Sequence, residues 1–420
     1  MAKINPFKPN SPAPTAMFAG RIAEIEALEA GIFQTKLGQP INFLLTGDRG
    51  IGKSSLLLLL KETASGEITT QQYGKFNFLT VHIPISDRIN IFSLLKLIEI
   101  KIKREVEKIE SIRLFFDNTW AFIQRIRVMD SGINPQEKDS EIDVQLDQFA
   151  YSLAETCKRI VTPQRGENKK DGILFLFDEC DNSPDGLRLG YFFKTVSEAL
   201  QRFSCHNVMF VAAGLPDTTE KLSNSHPSCL RIFTALPIKE LSFAERTYVI
   251  DKAIEVGNKV NTEKTTISAD ARAGVANFSE GYPHFIQQFG YSAFEHNSDG
   301  EISTEDVVDA AIKRGGAIDA IGNSYYASAF YEKIKSDEYR QVLTIMAEKL
   351  NSWVTKGQIR EKFTGDKNTL SNALQALTHR KIILKNPSKL GEYRLQQRGF
   401  ALWIRLFGQG TEVSPRKGEH

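Results

Sequence analysis

The chain has only four cysteines in 420 residues, and none forms a C-x-x-C pair. That excludes a disulfide framework. Cys157, Cys180, Cys205 and Cys229 suit a reducing compartment, so the expected location is cytoplasmic. Histidine is also sparse. The seven, His82, His206, His226, His284, His296, His379 and His420, are scattered and pair with no cysteine at metal spacing, which argues against zinc. Long apolar runs are missing. The Leu56–Leu60 run is too short to span a bilayer and reads as a buried helix, so no membrane partner is expected. Met1–Pro14 is polar and Pro-rich and lacks the apolar stretch of a signal peptide. No internal repeat, nucleophile elbow or protease or nuclease signature stands out.

Net charge is nearly absent, at +2 overall, but it is unevenly spread. Lys335–His420 holds 16 Lys and Arg against 8 acids, a net +8 that leaves −6 on the rest. A basic C-terminal segment on a mildly acidic body can mark nucleic-acid contact. The composition, 41% hydrophobic and 25% charged, is that of a globular protein with a sizeable core. Its length calls for two or three domains.

Apolar periodicity organises the chain. Residues 1–17 hold four prolines and read as an extended arm. A helix is expected from Arg21 to about Lys36, then a buried strand Ile41–Thr46, a helix Ser54–Thr63, a strand Phe76–Ile85 and a helix Asn90–Lys108. Residues 110–170 read as an insertion of unassigned packing. Ile173–Phe177, Val208–Ala213 and Ile232–Pro237 complete the strands. Strands alternating with helices imply an α/β parallel sheet with right-handed crossovers. From Ser242 to about Lys335 the pattern is purely helical. Helices at Asp337–Lys349, Thr355–Phe363 and Lys367–Arg380 precede short strands Ile382–Lys385 and Glu392–Leu395; three helices and a hairpin make a winged helix. The expected division is an arm (1–17), a P-loop domain (18–241), an all-helical lid (242–335), a winged helix (336–410) and a tail (411–420).

Gly47-Asp48-Arg49-Gly50-Ile51-Gly52-Lys53-Ser54 fits G-x-x-x-x-G-K-[ST], with Ser55 following. Glycines let backbone N–H groups curl round phosphates, and the next helix N-terminus favours an anion. Lys53 would reach the β- and γ-phosphates, and the Ser54 hydroxyl would ligate Mg²⁺. Ile173-Leu174-Phe175-Leu176-Phe177-Asp178-Glu179 is an apolar strand ending in two acids. Asp178 would hold the Mg²⁺ shell and Glu179 would orient the attacking water. Asp181 either supports the site or is a solvated loop acid. Asn168-Lys169-Lys170-Asp171 matches N-K-x-D, which reads guanine in GTPases, but it precedes the acidic strand instead of following a later one. ATP is therefore the expected nucleotide.

These residues resemble a known group. Phe18-Ala19-Gly20-Arg21, with Glu24 and Glu26 after it, is similar to the opening of AAA+ ATPases close to the origin-recognition initiators, and of the STAND and archaeal-type ATPases. Asp178-Glu179-Cys180-Asp181 resembles the D-E-x-D of the initiators. Gly281-Tyr282-Pro283 resembles the G-x-P of the STAND and archaeal lids, which implies that Pro283 packs near the nucleotide. The resemblance covers most of the chain except residues 110–170. Two departures stand out. The strand end Ala212-Ala213-Gly214 lacks the family's polar sensor, and the lid position after Gly281 carries no sensor arginine. Both imply slow hydrolysis, a switch and not a processive motor. Arg231, just before the last strand, stands where an arginine finger falls, or is simply a surface arginine.

On the third C-terminal helix, Lys367, Asn368, Asn372, Gln375, His379 and Arg380 oppose an apolar face of Leu370, Ala373, Leu374 and Leu377. Lys381, Lys385 and Lys389 add charge along the hairpin. Such a helix can enter the major groove, with Asn and Gln on base edges and Lys and Arg on phosphates. In STAND-type ATPases, by contrast, the winged helix packs on the core and senses nucleotide. The sequence thus points to an ATP- and Mg²⁺-dependent switch working with double-stranded DNA, or to one assembling with protein partners or copies of itself.

Overall fold

The computed structural model describes residues 3–11, 18, 20–106, 110–125, 135–163, 169–334, 336–350, 352–380, 382–386 and 388–408. Parts of the arm and insertion, Ala19, Asn168, Lys381 and the tail lie outside them. The chain forms two compact units, residues 12–239 and residues 1–11 with 240–420.

The first unit runs α1 (Ile22–Lys36), β1 (Asn42–Thr46), α2 (Lys53–Ser65), β2 (Leu79–Pro84), α3 (Ile91–Val106), α4 (Glu110–Thr119), α5 (Phe122–Arg125), α6 (Pro135–Val161), β3 (Ile173–Asp178), α7 (Leu189–Arg202), β4 (Val208–Gly214), α8 (Thr218–Ser225) and β5 (Phe233–Pro237). The five strands are parallel in the order β2-β3-β4-β1-β5. Burial follows that order. Every residue of β3 and β4 is buried, as strands covered on both faces require, whereas β2 at the edge alternates buried and exposed. Prolines fall only at the ends of the two edge strands, Pro84 and Pro237, where no inner ladder bond is lost.

The segment read as an insertion is part of this core. Leu146, Phe149, Ala150, Leu153, Ala154, Cys157 and Ile160 form one buried stripe along α6, which packs on α7. Trp120 stacks 5.2 Å from Phe116 and meets Phe149 edge-on at 5.4 Å. Its indole N–H donates to Thr156 Oγ1 at 2.9 Å. The 3.6-residue spacing of that stripe is the signal that assigns it.

The second unit continues with α9 (Phe243–Val260), β6 (Thr266–Ile267), α10 (Ala269–Phe278), α11 (Pro283–His296), β7 (Glu301–Ile302), α12 (Thr304–Ile312) and α13 (Ala317–Tyr325). The purely helical reading therefore needs correction, because β6 and β7 pair in parallel. Two residues per strand are too few to show a period of two. Ser242 with Glu245, and Ser303 with Asp306, close capping boxes at α9 and α12, satisfying amides that the helices cannot. Residues 3–11 strap these helices. Phe7 is buried against Gly290, where any Cβ would meet its ring at 2.4 Å.

The chain ends with α14 (Asp337–Ala347), β8 (Val354–Thr355), α15 (Lys356–Lys362), α16 (Lys367–His379), β9 (Ile383–Lys385), β10 (Glu392–Leu395) and α17 (Arg398–Phe407). The three strands form an antiparallel sheet in the order β8-β10-β9. This is the element order of a winged helix. It carries one strand and one helix, β8 and α17, that the periodicity did not separate. No helix among the described residues is long and apolar enough to cross a membrane.

Candidate nucleotide site

The site lies at the carboxyl ends of β1, β4 and β3, where open α/β sheets bind ligands. The Gly47–Ser54 loop leaves β1 and enters α2. Gly50 at φ 79° and Gly52 at φ 100° turn it through left-handed backbone, which glycine adopts without strain. Gly47 has no room for a side chain, since a Cβ would lie 2.7 Å from the Ile238 carbonyl. The Lys53 ammonium donates back to the carbonyls of Gly47, at 2.7 Å, and Asp48, at 3.0 Å. Burial pushes this lysine below its ordinary pKa, while Asp181, Asp178, Asp48 and Glu179 pull it back. All four acids are therefore close enough for their charges to act on the ammonium.

Asp178 ends β3 with only 7% of its surface exposed. Its Oδ1 accepts from the Glu179 N–H at 2.9 Å. Glu179 sits in left-handed backbone, φ 56°, and its side chain is exposed. A non-glycine residue held there is strained in a way common at functional sites. Asp181 has a definite structural role: its Oδ1 accepts from the Leu215 N–H at 3.0 Å, and Lys221 donates to its carbonyl. It thus ties the loop after β3 to the end of β4. Gly214 has no room for a side chain, chiefly because a Cβ would lie 2.1 Å from Thr218 Oγ1, with Asp181 Oδ1 at 3.1 Å. The glycine at that strand end accordingly has a packing cause.

A role for Arg21 escaped the sequence reading. It is 6% exposed and held at φ 58° beside left-handed Gly20. Its guanidinium donates to the Ile51 carbonyl inside the phosphate loop at 2.8 Å and to the Lys239 carbonyl at 2.7 Å, with Glu24 at 3.7 Å. Gly20-Arg21 thus clamps the loop from α1. Replacing Arg21 by Ala should orphan the buried Ile51 carbonyl, at about 1–3 kcal/mol, release the part-buried Lys239 carbonyl, and weaken nucleotide binding at least about tenfold. Calorimetric titration with ATP checks this, and unchanged affinity would remove the clamp.

Arg231 is exposed on the turn Cys229–Ile232 that leads into β5. Pro283 opens α11 in the second unit, after Gly281 at φ 90°. Lys169 and Asp171 lie at the opposite, amino end of β3. There Asp171 accepts from the Asn77 N–H at 2.8 Å and pairs with Lys36 at 3.2 Å, so this stretch is structural. In the C-terminal module Lys367, Asn368, Asn372, Gln375, His379 and Arg380 are exposed, opposite buried Leu370, Ala373, Leu374 and Leu377. Lys385 and Lys389 are exposed too, and Lys389 stands 3.9 Å from Glu392.

No family model and no curated protein matches the sequence. The structure of ORC2 from Aeropyrum pernix, solved as ADPNP and ADP complexes, does match, with a TM-score of 0.56 over 96% of this chain and 97% of that one at 13% identity. The chain shares the fold of that ORC2 protein. Weaker similarity reaches A. pernix ORC1 in complex with DNA (TM-score 0.44, 14% identity, 93% of each chain). It also reaches a Thermotoga maritima RuvB variant (TM-score 0.42, 13% identity, 90% of this chain and 93% of that one). Within this fold the left-handed glycines, the half-buried ammonium and the acid at the end of β3 suit a magnesium-bound nucleoside triphosphate.

Proposed function

We propose that this chain binds ATP with Mg²⁺, hydrolyses it slowly, and uses the nucleotide state as a switch in work on DNA. The observation that carries the reading is the Lys53 ammonium, half-buried over the loop carbonyls within the field of Asp178 and Glu179. The AAA+ fold, shared with an ORC2 protein solved with ADPNP and ADP, supports it. Loop amides and Lys53 hold the phosphates, with Gly47, Asp48, Arg49, Gly50, Ile51, Gly52 and Ser55 forming the cradle. Ser54 and Asp178 would hold Mg²⁺, which neutralises developing charge on phosphate oxygens when bound. Exposed Glu179 orients water and accepts its proton. The end of β4, Ala212-Ala213-Gly214, carries no polar side chain of its own to steady the γ-phosphate, which keeps turnover slow.

For DNA, the exposed row Lys367, Asn368, Asn372, Gln375 and Arg380, with Lys385 and Lys389 on the hairpin, supplies cations for phosphates and amides for base edges. ATP hydrolysis should rise on adding double-stranded DNA. DNA affinity should fall with salt at a log–log slope of about −3 to −4, as expected for roughly four phosphate contacts. Salt-indifferent affinity with no stimulation would sink the DNA role. It would favour the second reading, an ATP-driven assembly with protein partners, which fully exposed Leu390 at the hairpin tip also suits. Arg231, exposed before β5, would serve a neighbouring copy as its arginine finger. Arg231→Ala should then lose hydrolysis that mixing with Glu179→Gln restores, and failure of that rescue removes the finger.

A further inference from the structure

The N-terminal strap, residues 3–11, lies in no strand or helix, and side chains of the second unit hold its backbone. Asn261, 7% exposed at the end of α9, accepts from the Ile4 N–H through Oδ1 at 2.8 Å and donates from Nδ2 to the Ile4 carbonyl at 2.9 Å. One amide thus gives the strap both bonds that a neighbouring strand would give. Further along, buried Gln287 of α11 accepts from the Lys8 N–H at 2.8 Å. Between these fixed points Asn5 turns the strap. Its Oδ1 accepts from the Phe7 N–H at 3.0 Å, as in an Asx-turn. Its Nδ2 donates to the Tyr291 carbonyl at 3.1 Å and to Glu295 Oε1 at 2.8 Å.

The side chains of the strap are matched as closely as its backbone. Pro6 sits on Gly257 of α9, where a Cβ would lie 3.0 Å from its ring. Phe7, 1% exposed, sits on Gly290 of α11. Ile4, by contrast, is 59% exposed. The face between α9 and α11 therefore selects Asn-Pro-Phe at positions 5–7 and not apolar bulk in general. Lys3 adds an ion pair with Glu263 at 3.5 Å. Without a strap, the buried Asn261 amide and Gln287 Oε1 would lose these partners, and the seat of Phe7 would stand open. Buried polar groups need partners, so such a face calls for an occupant.

We propose that the α9–α11 face is a peptide-recognition groove for an extended Asn-Pro-Phe segment, and that it takes the N-terminal strap of a second copy in exchange for its own, independently of the nucleotide site. The residues it reads, 3–8, belong to a terminal segment that is part of no sheet or helix. A strap from a second copy can therefore make the same bonds as the strap in cis. Exchange of an identical element is a low-cost route to association for that reason. Within one chain the tether gives the strap a high effective concentration. Occupancy by a second copy gains when copies are concentrated or the strap in cis is weakened.

The test uses full-length chains without nucleotide and a fluorescent peptide of residues 3–11. Phe7→Ala, which loosens the strap in cis, should bind the peptide saturably in an anisotropy titration. Wild type should bind it at least about tenfold more weakly, because its own strap competes. A peptide that itself carries Phe7→Ala should lose at least about tenfold in affinity for the same chain. Gly290→Ala fills the seat of Phe7 and leaves that chain's strap free. Mixed one to one, the Phe7→Ala and Gly290→Ala chains should form a heterodimer by light scattering, of a mass that neither shows alone. Asn5→Ala and Asn261→Ala, milder changes to strap and groove, replace these two where either folds poorly. Equal binding of the two peptides, or none, overturns the groove. Peptide binding with no heterodimer on mixing overturns the exchange between copies.

Discussion

Lys53→Ala should weaken ATP binding by at least about 100-fold. The lysine is the cation of the loop, and charge-assisted bonds to phosphate contribute about 1.5–3 kcal/mol each. Two of them come to about 3–6 kcal/mol, and every 1.4 kcal/mol is about tenfold in affinity. The ammonium also donates to the carbonyls of Gly47 and Asp48. A phosphate would draw it away, so the net loss falls toward the lower end. Glu179→Gln separates chemistry from binding. It keeps the size and the backbone turn at φ 56° but removes the proton acceptor. Binding should stay within a fewfold of wild type while hydrolysis drops about 10²- to 10⁴-fold. Titration with a fluorescent ATP analogue and a phosphate-release assay read the two effects. Tight binding by Lys53→Ala, or full turnover by Glu179→Gln, would show that the nucleotide chemistry lies elsewhere.

Trp403→Ala should be the most damaging single change in the second unit, at about 3–5 kcal/mol. The indole is 2% exposed. It stacks at 6.3 Å on Phe400 and meets Phe330 and Tyr331 edge-on at 5.6 and 5.9 Å. Gly322 lies beneath it with no space for a Cβ, so the cavity cannot close by a small shift of a neighbour. Two compact units make a single two-state transition a poor assumption. The expected result is loss or early onset of one transition in thermal unfolding followed by circular dichroism. A melting curve that overlays wild type would contradict this packing.

Much of the site was legible because it is local. The phosphate loop needs glycines, a lysine and a hydroxyl at fixed spacing within eight residues, and β3 with its terminal acids is equally contiguous. The central strands announced themselves as unbroken apolar runs, because burial on both faces removes alternation. The apolar face of α16 followed from its period, and its four buried residues are those expected. The stripe on α6 was also present in the sequence, but a polar stretch after it obscured where it belongs.

Other features depend on residues far apart in the chain. Arg21 reads only as part of the opening motif, with no partner, until the fold brings Ile51 and Lys239 to its guanidinium. Asp181 looked equally like a support for the site or a solvated acid until β4 placed the Leu215 N–H against it. Gly214 reads as a missing sensor, and only its contacts with Thr218 and Asp181 show that a side chain has no room there. Asn261 gains its meaning from the Ile4 backbone, 257 residues away. The sequence by itself determined the nucleotide cradle, its acids and the strand–helix alternation, because backbone conformation and burial period are set by neighbours in the chain. Tertiary structure alone decided which buried polar groups meet, because a desolvated donor or acceptor takes its partner from whatever the packed core delivers to it.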